Sequence, residues 1–287
     1  LDRAADGSLW CGTLPGGLFW SEDLGATWQM AEALWTMPER RKWAGGGADV
    51  PGIHSVVVDP RDGNRVVVAV SSGGVWHSRD GGKTWTAHTK GMRADYAPPE
   101  LVEAPESQDP HRLVQCPAQP DVWWLQHHNG IIRSTDDAMS WTEITDVKPS
   151  VFGFPVVVHP KDPDTAWFVP AIKDERRIPA EGRVVVNRTR DGGRSFETLH
   201  RGLPRGAIDV EPHHVLEALV FDPPPVGEAD ALHHRLRRMI VGQGDGEDQV
   251  ERQRLEAVGE RGARHLGGVA FSPGVGMQRP QDLGSFE

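Results

Sequence analysis

Between residues 2 and 204, apolar runs of four to seven residues recur, rich in Val, Trp and Ile and bounded by Gly, Asp and Pro. Short bounded runs of this kind predict β-strands rather than helices. RVVVAV (65–70) leads through a glycine pair to VWHS (75–78). LVQCP (113–117), DVWWLQH (121–127) and NGIIRS (129–134) follow the same order, as do VVVHP (156–160), TAWFVPAI (165–172) and RVVVNRT (183–189). Each set ends in one kind of octet: SEDLGATW (21–28), SRDGGKTW (78–85), STDDAMSW (134–141) and TRDGGRSF (189–196), starting 57, 56 and 55 residues apart. A fourth run such as TWTAHT (84–89) follows. Self-similarity of this length marks a stacked or circular repeat, and four antiparallel strands per unit is the composition of a β-propeller blade.

The expected fold is therefore all-β: a propeller of four-stranded antiparallel blades, an incomplete ring of about four clear blades plus one or two degenerate ones. Residues 1–204 hold the clear blades. The first of them reads as truncated, because the chain starts in the loop after a missing first strand; an N-terminally shortened product is expected. Residues 205–287 are the weak region. All eleven tryptophans lie at or before Trp167. LVFDP (219–223) and GVAFSP (268–273) read as first strands, whereas QVERQRLEAVGER reads as polar or weakly helical. A degenerate blade and a frame-shifted or foreign stretch stand as alternatives.

The octet reads as a hairpin turn between the third and fourth strands. Asp-Gly and Gly-Gly supply the positive φ a tight turn needs, and the Asp carboxylate can bond amides of its own loop. That gives Asp23, Asp80, Asp136 and Asp191 a structural role, with Trp28, Trp85, Trp141 and Phe196 covering the turn. The third octet, with Asp137-Ala138 where the others end in glycine, is expected to be the least regular. These octets resemble the Asp-box (BNR) motif of sialidases, xyloglucan-cleaving glycosidases and sortilin-type receptors. PGIHSVVVDPRD (51–62) and the stretch from FGFPVVVHP (152–160) to RTRDGGRSF (188–196) are similar to bacterial Asp-box propellers of glycosyl-hydrolase-like or sialidase-like type. The resemblance covers residues 2–204 and implies boxes on the face away from the active site.

A net charge of −10 and a pI of about 5.7 argue against a nucleic-acid partner, whose phosphates need clustered Lys and Arg. No run has the length of a membrane span. Cys11 and Cys116 fall in strands of different units, so no disulfide framework is expected. Cytoplasm is the expected compartment, with secretion left open by the shortened N-terminus. No cofactor fingerprint is present. No metal site is expected either, because neighbours on a strand, as in His127-His128, point to opposite faces.

Candidate chemistry sits on the loops opposite the octets. Residues 29–52 and 90–110 are inter-blade connections of a length that suggests function. Residues 173–182 (KDERRIPAEG) read as a long loop, and His127, His128 and Asn129 occupy the corresponding place in the third unit. For an enzyme, the resemblance to sialidases implies a tyrosine nucleophile with a carboxylate partner. The single tyrosine, Tyr96, stands beside Asp95, and Glu175 is a further candidate acid. An ordinary glycosidase needs two carboxylates, for which Asp49, Asp95, Glu100, Asp174 and Glu175 are available. Arg93, Arg176 and Arg177 are candidates for orienting an anionic group. RRIP (176–179) is similar to the Arg-Ile-Pro motif of sialidases, but its place just before the fourth octet marks it as a loop. His54 reads either as a ligand-contacting base or as a buried histidine bonded to backbone. Trp35 and Trp43 read equally as stacking platforms or as lids on blade edges. The expected ligand is a carbohydrate; the alternative is a protein or peptide bound by a non-catalytic scaffold.

Overall fold

The computed structural model describes residues 1–174, 176–201 and 203. The region from 204 onward, and with it the expected degenerate blade, lies outside the described residues. Four antiparallel sheets follow one another along the chain. The first is β1 (Asp2–Arg3), β2 (Leu9–Gly12), β3 (Leu18–Ser21) and β4 (Gln29–Met30). The second is β5 (Ile53–Val58), β6 (Val66–Val70), β7 (Gly74–Ser78) and β8 (Thr86–Ala87). The third is β9 (Pro110–Gln115), β10 (Trp123–His127), β11 (Ile131–Ser134) and β12 (Thr142–Ile144). The fourth joins β13 (Gly153–His159), β14 (Asp162–Lys173), β16 (Val186–Thr189) and β17 (Glu197–Leu199), with β15 (Arg176–Pro179) paired to the far end of β14. Each sheet is a simple meander, and together they are successive blades of a β-propeller. Two expectations change. The first blade does have a first strand, though only Asp2–Arg3, and the expected loop over 173–182 contains a strand, Arg176–Pro179, paired back on β14 and followed by a 3-10 turn at Ala180–Gly182.

Every residue of β6 is buried, which looks at odds with a two-faced strand. Period-two alternation explains it. Val66, Val68 and Val70 pack with Trp76 against the first blade. Val67 and Ala69 pack with Val75 against Leu113, Trp123 and Leu125 of the third. The same division puts Trp123 at one interface and Trp124 at the next. At roughly 1.5 to 3 kcal/mol per fully buried apolar side chain, the valines of β6 supply on the order of 10 kcal/mol before chain entropy is subtracted. A blade in this arrangement has no solvent face in its middle strands.

The first strands of successive blades lie side by side. Asp2 Oδ2 accepts the Val58 amide at 2.7 Å, and Ser55 Oγ accepts the Leu113 amide at 3.0 Å. These strands mark the shared inner edge.

The octets close the hairpins between third and fourth strands. In each, a hydroxyl (Ser21, Ser78, Ser134, Thr189) donates to Oδ1 of the octet aspartate at 2.7 to 3.0 Å. The same oxygen accepts the amide of the residue four further on, at 2.8 to 2.9 Å. Oδ2 accepts that residue's hydroxyl at 2.6 to 2.7 Å. Hydroxyl and amide donors together hold Asp23, Asp80 and Asp191 down to about 2.

The third octet is as regular as the others, contrary to expectation. Asp137 and Ala138 adopt φ of 64° and 56°, as Gly81 and Gly82 adopt 71° and 83°. Aspartate tolerates this region better than most residues. Arg61, Arg65 and Arg79 also surround the Asp137 carboxylate. In the fourth octet the same position leans on the preceding blade: a Cβ on Gly193, at φ 90°, would meet Ile144 Cδ1 at 2.3 Å, so the isoleucine would have to shift. Ala138 finds room there and is fully buried. Cys11 and Cys116 are free thiols. Among the described residues no helix is long and apolar enough to cross a membrane.

Candidate functional site

The connections at the ends opposite the octets meet one another. The first of them folds as a short helix, α1 (Glu32–Thr36), and a 3-10 turn, Pro38–Lys42. Lys42 pairs with Glu106 of the next connection at 2.9 Å. A Cβ on Gly47 would lie 3.3 Å from an Arg177 nitrogen of the β14–β15 hairpin. Asp95 accepts from Asn129 Nδ2 at 3.1 Å, and its own amide donates to Asn129 Oδ1. The four segments singled out in the sequence therefore share one rim.

At the centre of this rim lies Asp109, immediately before β9 and 3% exposed. Its Oδ1 accepts the Ser72 amide at 3.2 Å, and its Oδ2 lies 3.4 Å from His128 Nδ1 and 3.7 Å from His111 Nε2. Burial pushes the Asp109 carboxyl up, but the facing His111 and His128 rings and the Ser72 amide outweigh it and leave the group well below the usual carboxylate range. His111 Nδ1 lies 2.7 Å from the Gly153 carbonyl. The carbonyl cannot donate, so this nitrogen carries the proton and Nε2 faces Asp109.

Aromatic rings enclose the pair of imidazoles. Phe154 stacks on His111 at 4.6 Å with planes 16° apart. Phe152 meets both His111 and His128 edge-on. Tyr96 packs against His128 at 4.6 Å. The Gly45-Gly46-Gly47 turn closes over the acid: Gly46 has φ of 55°, and a Cβ there would sit 2.9 Å from Asp109 Oδ2. Beyond His128, Asp174 Oδ2 lies 4.0 Å from Nε2 and is paired with Arg177.

The structure places the expected site residues as follows. Tyr96 is half-exposed, and its hydroxyl donates to Ser107 O at 2.7 Å. Burial of that end, and Asp109 near by, raise its pKa. Asp95 is exposed and paired with Arg93 at 3.3 Å. Glu175 lies outside the described residues. His127 is fully buried, with the Asp109 and Asn129 amides on its two ring nitrogens at 3.1 Å each. His54 is reached by solvent yet ringed by protein. That partial loss of water lowers its pKa, against the pull of Asp109 and with the push of His111. Arg176 is exposed on β15, whereas Arg177 lies over Phe154 and holds Asp174. Trp43 is buried against Trp76 at 5.9 Å, while Trp35 remains partly exposed beneath the Arg40 guanidinium, 3.5 Å from its centroid.

Sequence reasoning passed over Asp109, His111 and Glu143. The first two stand two apart at the start of a strand, the spacing that puts side chains on one face; that signal was available. Glu143 has its pKa raised by burial and then by Asp95, a pairing across two blade elements that no local spacing reveals.

No protein-family model matches the chain. Among curated proteins it is 24% identical over 243 residues to the oligoxyloglucan-reducing end-specific xyloglucanase of Emericella nidulans, covering 75% of this chain. It is 27% identical over 240 residues to a probable enzyme of the same description from Neosartorya fischeri, covering 73% of this chain. The chain spans 28% of the length of each relative. Among solved structures it resembles the GH74 xyloglucanase from Xanthomonas campestris, with a TM-score of 0.51 at 21% identity over 69% of this chain and 29% of that one. An ancestral GH74 enzyme gives 0.51 at 16% identity, covering 70% and 25%. The structural likenesses carry the fold, that of glycosidase-type propellers.

Proposed function

We propose that this chain is a glycosidase-like propeller segment that binds a glycan on the rim opposite the octets. One observation carries the reading: four connections from different blades converge around a half-exposed tyrosine ring flanked by fixed acids, an amide and an arginine. Sugar rings present apolar faces that lie on aromatic side chains, and hydroxyls that need several oriented donors and acceptors. Tyr96 with its edge-on His128 offers the first. Asp95 with Asn129, and Asp174 with Arg177, offer the second. The names of the relatives make a xyloglucan oligosaccharide the first ligand to try. Hydrolysis would need two carboxylates in different states. Asp95 beside Glu143, whose carboxyl is pushed up by burial and then by Asp95, is the arrangement nearest that requirement.

Calorimetry of the full chain with xyloglucan oligosaccharides, other β-glucans and sialyllactose tests this, with Tyr96→Ala and Asp95→Asn as variants. Binding of a neutral glycan that weakens at least tenfold in Tyr96→Ala is expected. Absence of binding across the panel, or binding indifferent to both variants, would overturn the reading.

A further inference from the structure

We infer that Asp109, His111 and His128 form a binding site for a divalent transition-metal ion of the zinc class. Their ligand atoms all lie within 4.8 Å of one another. Bonds of about 2.1 Å at tetrahedral angles set ligand atoms roughly 3.4 Å apart. The distances from Asp109 Oδ2 to His128 Nδ1 and His111 Nε2, 3.4 and 3.7 Å, are close to that value.

The surroundings are those a metal ligand set requires. A ligating imidazole donates its other N–H to a carbonyl or carboxylate, which fixes the tautomer; His111 does this to Gly153 O. Its remaining lone pair then points at a carboxylate, an acceptor facing an acceptor. His128 directs a second ring nitrogen at the same oxygen. The two imidazole rings lie 5.4 Å apart, centroid to centroid, beside Phe152 and Phe154. A single divalent ion meets all three lone pairs at once. Asp109 is itself oriented by the Ser72 amide, so the site is built before the ion arrives. Two nitrogens and one oxygen suit zinc, cobalt or nickel rather than calcium or magnesium, which take oxygen ligands. Three protein ligands leave one tetrahedral position for water or an oxygen of a bound molecule.

The assignment is independent of the glycan reading, because its readout needs no sugar. The full 287-residue chain, stripped with chelator, is titrated with Zn²⁺ by calorimetry, and then with Co²⁺, whose visible absorption reports tetrahedral nitrogen and oxygen ligation. One equivalent is expected, with affinity at least tenfold weaker in His128→Ala and in Asp109→Asn. His128 lies in a partly exposed turn, so that variant tests the site even if Asp109→Asn fails to fold; circular dichroism establishes which variants fold. No saturable binding would overturn the assignment. So would a stoichiometric ion that His128→Ala and His111→Gln leave unaffected, since the ion would then be held elsewhere.

Discussion

Lowering the pH from 7 to 5 should destabilise this chain through His77, and replacing His77 with phenylalanine should remove that share of the loss. His77 lies on β7, is 6% exposed, and has a buried Nε2 without a partner. Burial is the main reason its pKa falls to about 3, with His88, Arg79 and Arg65 adding to it. The His88 ring is 4.4 Å away, centroid to centroid. In the unfolded chain the same imidazole titrates near 6.5. The folded value is the lower one, so the unfolded state takes up the proton first. The resulting stability is fully present above about 6.5 and is lost as the pH falls toward 3. Between pH 7 and pH 5 the linkage relation gives a loss of about 2 kcal/mol from this one group. Urea unfolding followed by tryptophan fluorescence, at both pH values, measures it: Trp76 stands next to the site of change. Other titrating groups act on both proteins alike, so the quantity of interest is the difference between native and His77→Phe chains. The native chain should lose about 2 kcal/mol more than the variant. If the two lose equal stability, the buried neutral imidazole is not what the structure says it is.

Gly91 has φ of 90°, and a Cβ there would stand 2.1 Å from the Trp141 carbonyl oxygen; Gly91→Ala should cost on the order of 3 kcal/mol, read as a lowered urea midpoint. In the second octet, Asp80→Ala removes the acceptor for four donors and should lower Tm, with Asp80→Asn falling between it and the native chain. A Tm unchanged by Asp80→Ala would show that the loop holds itself by glycine geometry alone. On the rim, Tyr96→Ala should weaken xyloglucan-oligosaccharide binding at least tenfold in calorimetry, while His128→Ala should abolish cobalt absorption.

The propeller was legible because its signals are local. A Val-rich run, a glycine pair and an Asp-bearing octet each fix their own few residues, and their repetition at a near-constant spacing did the rest. The position of the rim followed from topology, since a meander puts alternate turns at opposite ends. Its chemistry did not follow. Asp109, His111 and His128 come from two segments of the third blade, and what aims them is the Gly153 carbonyl of the fourth blade and the Ser72 amide of the second. No spacing encodes a contact between blades. The adjacent histidines show both sides of this. Local reasoning held that neighbours face apart, and His127 does turn inward to backbone amides while His128 faces the rim. Where their partners stood was beyond it. The third octet misled for the opposite reason: its sequence departs from glycine, but three arginines from the second blade and its loops compensate for the aspartate in its turn.

The octet hydrogen bonds have one more implication. Hydroxyl, carboxylate and amide all come from within a single eight-residue stretch, so the loop-closure entropy of forming them is small and owes nothing to the neighbouring sheets. Each blade can thus fold its outer hairpin before it meets another. Duplicating or deleting a blade would then leave the hydrogen bonds inside each remaining octet intact, which gives propellers of different blade number a route to arise from one unit.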